Sequence, residues 1–317
     1  MADKALLPAL EEAVESHTAG SPVEPGQRWT NRSPAELARE LADEGHPVDP
    51  KTVKGMLKED LGLSRRQMVK TLSMGESADR EAQFQRLATI KTEFLEQGFP
   101  VVSIDTKKKE LLGNFYRSGP AWTNGRVRAW DHDFPSSAWG KVIPYGVYDL
   151  VRNESLVYLA QGADTGQLAV DAVRRWWHRL GKWHYPAAAP LLLLADCGGS
   201  NGYRVSLFRE QLQLLANRLG KVIRVCHIPP YCSKYNPIDH RLFCHLSRSL
   251  TSLMLRSVEI IRHAIARTTT TKGLRVITEL ARKLYPSGTK ASSDYLEQET
   301  VLRDKTLPQF NYQFVPQ

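Results

Sequence analysis

At 317 residues, 42% hydrophobic and 24% charged, the chain has the composition of a globular protein and the length of roughly two domains. Its longest apolar run, "AAAPLLLLA", is too short for a bilayer, and the acidic, amphipathic start "MADKALLPALEEAVE" is unlike an export signal. The net charge of +9 is uneven: residues 1–100 carry 13 Lys/Arg against 17 Asp/Glu, and the remainder carries 30 against 17.

A basic field confined to the later part suits a polyanion, nucleic acid above all. The four cysteines, Cys197, Cys226, Cys232 and Cys244, lie in one region with nothing that marks export. A reduced, cytoplasmic setting is therefore expected.

In chain order, the first hundred residues read as helical. "NRSPAELARELADEGHPV" offers Ser33 as N-cap, Pro34 at the first position and Glu36 for a capping box, with Leu37, Ala38 and Leu41 as the apolar stripe. After a turn at Gly45, "DPKTVKGMLKEDLGL" gives a second helix capped by Asp49, with Val53, Met56, Leu57 and Leu61 on one face. The pair fits either a helix-turn-helix or a plain helical hairpin. Residues 49–70 hold six bases (Lys51, Lys54, Lys58, Arg65, Arg66, Lys70) against three acids, which favours a phosphate-facing second helix. Residues 76–97 read as a connecting helix.

From residue 99 the pattern changes to strands. "PVVSIDTKKKE" is a strand ending near Asp105, and "KELLGNF", "GKVIPYGVYDL" and "ESLVYLAQG" offer more. "DTGQLAVDAVRRWWHRLGKW" is a helix with Leu168, Ala172, Val173 and Trp176 inward and Gly181 as its stop. "PLLLLADCGGSNGYR" is an interior strand closing on Asp196, followed by a helix, the strand "KVIRVCHIP" and a last helix from Asn236 and Pro237. The order of strands, then alternating helix and strand, predicts an α/β, ribonuclease H-like catalytic domain, a mixed sheet flanked by helices.

That order gathers Asp105, Asp196 and Asp239. Three carboxylates so placed repel one another unless cations hold them, and hard oxygen ligands suit Mg²⁺ or Mn²⁺, with two ions expected. The alternative for Asp196 is a strand-end cap for the next helix, and for Asp239 a first-turn acid after cap Asn236. "CGGSNG" is mis-spaced for a dinucleotide fingerprint. Candidate nucleic-acid contacts are Lys51, Lys54, Arg65, Arg66, Lys107, Lys108, Lys109, Asn201, Lys234 and Arg241.

Two further groups carry alternatives. Cys226, His227, Cys232, His240, Cys244 and His245 crowd together without a CxxC pair, which favours core and helix-lining roles over zinc. Trp176 and Trp177 read as one core and one surface residue rather than a base-stacking pair. His132 and Asp133 of "DHDFP" have no place fixed by local pattern.

The blocks "VVSIDTKKKELLGNF", "HDFP", "GKVIPYGVYDL", "RRWWHRLG", "LLADCGGSNGYRV" and "CHIPPYCSKYNPIDHRLFCHL" together resemble the Rhodopirellula-type (ISAzo-type) insertion-sequence transposases, DDE enzymes related to the mariner and Tc group. The similarity runs from about Leu6 to Pro316, through "RWTNRSPAELA", "TTTTKGLRV" and "LYPSGTK".

It implies a helix-turn-helix-type region with its connecting helix over 1–98, and a catalytic domain with a C-terminal helical extension over 99–317. It also implies metal-dependent DNA cleavage and strand transfer. Double-stranded DNA, as terminal inverted repeats and target, is the implied partner, with a homodimer in the complex. The family's acids fall on Asp105, Asp196 and Asp239.

Asp239 departs from the family's glutamate, Cys197 replaces a glycine, and "YCSKYN" replaces a "GTSKWN"-like stretch. A further N-terminal helix-turn-helix typical of the family is absent ahead of "LLPALEEAVE", so a shortened copy is expected. A nuclease without strand transfer and an inactive DNA-binding remnant are the competing readings.

Overall fold

The computed structural model describes residues 5–16, 19–20, 28–66, 75, 77–120 and 122–317. They fall into two compact units, residues 1–72 and 73–317. Lys70 lies outside the described residues.

The first unit contains helices α1 (Leu6–Ser16), α2 (Pro34–Asp43) and α3 (Pro50–Glu59), and a short antiparallel pair, β1 (Ala19–Gly20) with β2 (Arg28–Trp29). Ser33 and Glu36 form the expected capping box, Ser33 Oγ accepting from Glu36 N at 3.2 Å and Glu36 Oε2 from Ser33 N at 2.7 Å. Asp49 accepts from Lys51 N at 2.7 Å and starts α3. Leu10, Ala13, Val14, Leu37, Ala38, Leu41 and Val53 make its core. At about 1.5–3 kcal/mol for each fully buried large side chain, this small cluster is what holds three short helices together.

The second unit opens with α4 (Arg80–Glu96) and contains β3 (Val101–Thr106), β4 (Glu110–Leu112), β5 (Gly140–Asp149) and β6 (Glu154–Ala160). Next come α5 (Gly166–Trp176), a π-turn at Trp177–Gly181, α6 (Lys182–His184), β7 (Leu191–Ala195), α7 (Ser206–Leu219) and β8 (Ile223–His227). A π-turn at Asp239–Phe243 leads into α8 (Cys244–Ser249), followed by α9 (Val258–Ala266), β9 (Arg275–Leu280), α10 (Ser293–Glu297), β10 (Leu302–Arg303) and β11 (Asn311–Phe314).

Among the described residues of the second unit the strands form one mixed sheet in the order β10-β11-β8-β7-β3-β5-β6-β9, with β4 also paired to β5. β3, β5 and β6 are antiparallel neighbours, whereas β7 and β8 run parallel to β3. This is the expected ribonuclease H-like order. Each residue of β7 is buried, including four consecutive leucines. That burial fixes β7 in mid-sheet and carries Asp196 to a defined place.

Several expectations need correction. The units divide after residue 72 and not at 98/99, because α4 is bound to the sheet: the Gln83 amide donates to His227 O (2.7 Å) and Asn311 Oδ1 (3.0 Å), and Arg86 pairs with Asp304 at 2.6 Å. The C-terminal part is not a helical extension alone. β9 and β11 extend the sheet on its two sides, pairing with β6 and β8.

Gly181 does not stop the helix after β6. The chain passes through the π-turn into α6, and the wider turn lets Trp176 and Trp177 both bury, at 0% and 6% exposure. The Lys221 ammonium, 4.1 Å from the Trp177 ring centre, occupies the place expected for solvent.

Candidate active site

The sheet register brings two carboxylates together. β3 and β7 are parallel and pair Ile104 with Ala195, so Asp105 and Asp196 each stand one residue further along. Strand spacing is about 4.8 Å, and residues in matching register on neighbouring strands point to the same face. In a parallel arrangement this is the carboxyl end, where ligands gather.

The same face receives the helical segment that follows β8. Ser103, two residues before Asp105, accepts from Ile238 N at 3.2 Å and donates its hydroxyl to Asn236 Oδ1. The Asn236 amide in turn donates to Asp196 Oδ1 at 2.9 Å. On the other side of β3, Asp105 is paired with Gly146. A Cβ on Gly146 would lie 2.7 Å from a Phe243 ring carbon and 2.8 Å from Ile238 Cδ1. The missing side chain is therefore what admits this segment to the strand bearing Asp105. Asp239 follows Ile238 directly and opens the π-turn.

Burial and repulsion dominate the electrostatics. The Asp105 carboxyl is pushed up to about 8 by desolvation first, then by Asp196, Asp239 and Asp164, against one favourable hydrogen bond from Thr106 N at 2.7 Å. Asp196 is pushed up to about 6 by desolvation and by Asp239, offset in part by the Asn236 amide. Asp239 is also raised, chiefly by burial, with His240 opposing. A carboxylate group that resists ionising in its own company, with acceptor-only oxygens, matches a hard divalent cation. Among the described residues no three such side chains are already drawn to clasping distance; the acids are coupled through their charges.

Backbone support reaches the same strand end. His227 is wholly buried and held near 4 by desolvation, hence neutral. Its Nδ1 lies 2.8 Å from Asp196 O, which can only accept, so Nδ1 carries the proton and Nε2 accepts from Tyr312 Oη at 2.8 Å. Both ring nitrogens are thus engaged within the protein.

Of the expected nucleic-acid contacts, Lys51, Lys54, Arg65 and Arg66 are exposed in the first unit, and Lys108, Lys109, Lys234 and Arg241 in the second. Two expectations are overturned. Lys107 is buried and ion-paired with Glu110, whose other oxygen binds Arg117 at 2.6 Å. Asn201 is only 1% exposed, folded under the glycine loop after β7. His132 stacks on Phe134, and Asp133 accepts from Tyr116 N at 3.0 Å.

Sequence reasoning took the Asn236 side chain for a cap, whereas both its polar atoms serve the bridge between Ser103 and Asp196 and only its backbone oxygen accepts from Asp239 N; it also missed Gly146 and Asp164. Asn236 was readable as a polar residue three positions before an acid, but nothing local gave its partners.

Strand order and the placement of acids at the carboxyl ends of adjacent strands define the ribonuclease H-like class. The chain belongs to the Rhodopirellula transposase DDE domain family, whose profile matches residues 9–316. It is a DDE transposase of insertion-sequence type, a metal-dependent enzyme that cleaves and joins DNA strands.

Among solved structures it is similar to the Mos1 transposase paired-end complex with the left transposon end: 16% identity, 81% of this chain, 68% of that chain, TM-score 0.44. The pre-cleavage Mos1 transpososome gives 15%, 80%, 68% and 0.44, and the Mos1 mariner paired-end complex with Mn gives 16%, 77%, 72% and 0.42. No curated protein matches. Among the described residues no helix is long and apolar enough to cross a membrane.

Proposed function

We propose that Asp105, Asp196 and Asp239 are the three acids of the DDE site and hold a pair of Mg²⁺ or Mn²⁺ ions. The register of Asp105 and Asp196 at one strand end carries this reading. Bound ions of this kind stabilise charge on the attacking and leaving oxygens of a phosphodiester. The chain supplies the rest. Asn236 fixes the Asp196 carboxylate through one hydrogen bond and leaves its remaining lone pairs free for a cation. Partial burial of Asp105 lowers the local dielectric and strengthens its attraction for a cation, and the glycine loop after Asp196 leaves room for a sugar-phosphate chain.

The reaction is two displacements at phosphorus. Water first forms a P–O bond at the element end and releases a 3′-hydroxyl. That hydroxyl then forms a P–O bond to target DNA while the target's own P–O bond breaks and its 3′ oxygen leaves. The exposed Lys108, Lys109, Lys234 and Arg241 suit phosphate contacts near the site, and Lys51, Lys54, Arg65 and Arg66 on a helix-turn-helix-type region suit the terminal repeats. A homodimer holding two ends is the proposed assembly.

The test is a labelled element-end duplex with a target plasmid and Mn²⁺. Nicked and joined products are expected from the wild type, and neither from Asp105→Asn or Asp196→Asn at undiminished DNA binding. Nicks without joined product would reduce the protein to a nuclease. Activity surviving both substitutions would remove these acids from the site.

A further inference from the structure

We infer that Asp164 is a positioning residue that ties the two strand ends bearing Asp105 and Asp196 into one rigid cation-binding frame. The inference rests on the reading above that those two acids hold cations. Asp164 lies between β6 and α5, just before Thr165, whose hydroxyl accepts from Leu168 N at 3.2 Å and caps α5. One oxygen, Oδ1, accepts two hydroxyls: Thr106 Oγ1 at 3.1 Å and Ser200 Oγ at 2.7 Å. Thr106 is the residue after Asp105, and Ser200 stands four after Asp196. A single carboxylate oxygen thus bridges the segments that follow both acids.

The direction of the grip matters. Side chains alternate along β3, so Thr106 points to the face opposite Asp105. Asp164 therefore holds the strand end from behind and leaves the carboxylate on the front face unobstructed. Its charge is nonetheless felt at Asp105.

The loop it tethers needs a tether. Gly199 sits at φ +73°, and a Cβ on Gly202 would lie 2.7 Å from Cys197 O, so glycine is required at both for the loop's path. Glycine also makes the loop costly to order. The Ser200–Asp164 bond and the burial of Asn201 offset that cost.

Two buried polar groups adjoin this tether without partners. Tyr145 lies directly across from Thr106 and is wholly buried, and its hydroxyl has no hydrogen bond while lying in the field of Asp105, Asp164 and Asp196. The Asn201 amide nitrogen, beside Ser200, is likewise unpaired. Such groups are rare in a finished interior, and here they lie where the main core, which includes Tyr145, meets the tethered strand end.

Mn²⁺ titrated calorimetrically into the DNA-free protein tests the idea without relying on catalysis, with thermal melts alongside. Asp164→Ala is expected to raise the half-saturating Mn²⁺ concentration about tenfold, the usual effect of losing a group that orients a ligand. Asp164→Asn keeps an acceptor for both hydroxyls and should shift it less than about threefold. The double variant Thr106→Val, Ser200→Ala should reproduce Asp164→Ala, and adding Asp164→Ala to it should change nothing more.

If Asp164→Ala fails to fold, the double variant carries the test. Wild-type affinity in Asp164→Ala, or in the double variant, overturns the inference, as does an Asn variant as weak as the Ala variant. A wild type that binds no Mn²⁺, or Asp105→Asn binding it unchanged, sinks the underlying site reading and this inference with it.

Discussion

The side-chain amide of Asn236 donates a 2.9 Å hydrogen bond to Asp196 Oδ1 while its oxygen accepts from the Ser103 hydroxyl. One residue thereby links the start of the helical segment after β8 to two adjacent strands. A helix cap alone would be satisfied by serine; this bridge uses a donor and an acceptor on two separate amide atoms, a span that one short hydroxyl does not cover. Asn236→Ser should therefore fold yet lose at least tenfold in metal-dependent nicking, about what removal of a ligand-orienting group costs. Asn236→Ala should additionally cost about 1–3 kcal/mol by stranding buried polar groups. Normal nicking by the serine variant would reduce Asn236 to a cap.

Asp239 separates catalysis from helix capping. Asp239→Asn should abolish nicking with Mg²⁺ or Mn²⁺ and leave the melting profile nearly unchanged, whereas a capping role forecasts a loss of about 0.5–1 kcal/mol with cleavage intact. Asp239→Glu restores the acid that the family resemblance implies, and retained activity is expected. An Asn variant that melts normally and nicks at the parental rate excludes Asp239 from the site.

Gly146→Ala tests the close approach beside Asp105. The new methyl meets Phe243 and Ile238 at 2.7 and 2.8 Å, so overpacking of about 1–3 kcal/mol is expected together with reduced nicking. Adding Phe243→Leu should return part of both. No change in melting temperature would mean that the segment yields freely.

The carboxylates should make the metal-free protein acid-stabilised. Asp105 rises from its ordinary 3.8 to about 8 and Asp196 to about 6, so the folded state binds these protons more tightly than the unfolded chain. Their contribution is complete below about pH 4 and is lost as pH rises through 6 for Asp196 and 8 for Asp105. In EDTA the melting temperature should fall across that window. Excess Mg²⁺ should reverse the trend at the alkaline end, and Asp105→Asn should flatten it. A pH-independent melt unaffected by Mg²⁺ contradicts the electrostatic account.

Lys54 and Arg65 are exposed in the first unit. Reversing both to glutamate should weaken duplex binding and lower the salt-dependence slope by about two, since each phosphate that is no longer neutralised removes about 0.9 from it. An unchanged slope, measured by fluorescence anisotropy, would remove this unit's basic face from the DNA interface.

What the sequence by itself determined is what short-range pattern encodes. The leucine run before Asp196 specified an interior strand, Ser33 with Glu36 specified a capping box, and the strand–helix order specified the sheet and the meeting of Asp105 with Asp196. Tertiary structure decided whatever depends on which side chains meet across elements.

Asn236 reads as a cap because capping is local, and its partners lie 40 and 133 residues away. Lys107 belongs to a lysine run that looks solvated, yet Glu110 and Arg117 close over it. Ordinary α-helical spacing puts Trp177 on the surface, and a π-turn breaks that spacing. Asp164 carries no local mark at all, because Thr106 and Ser200 reach it only once the sheet has set their register. Local periodicity fixes faces and ends of elements; long-range contacts are settled by packing, where a buried polar group keeps only the partner that the fold delivers.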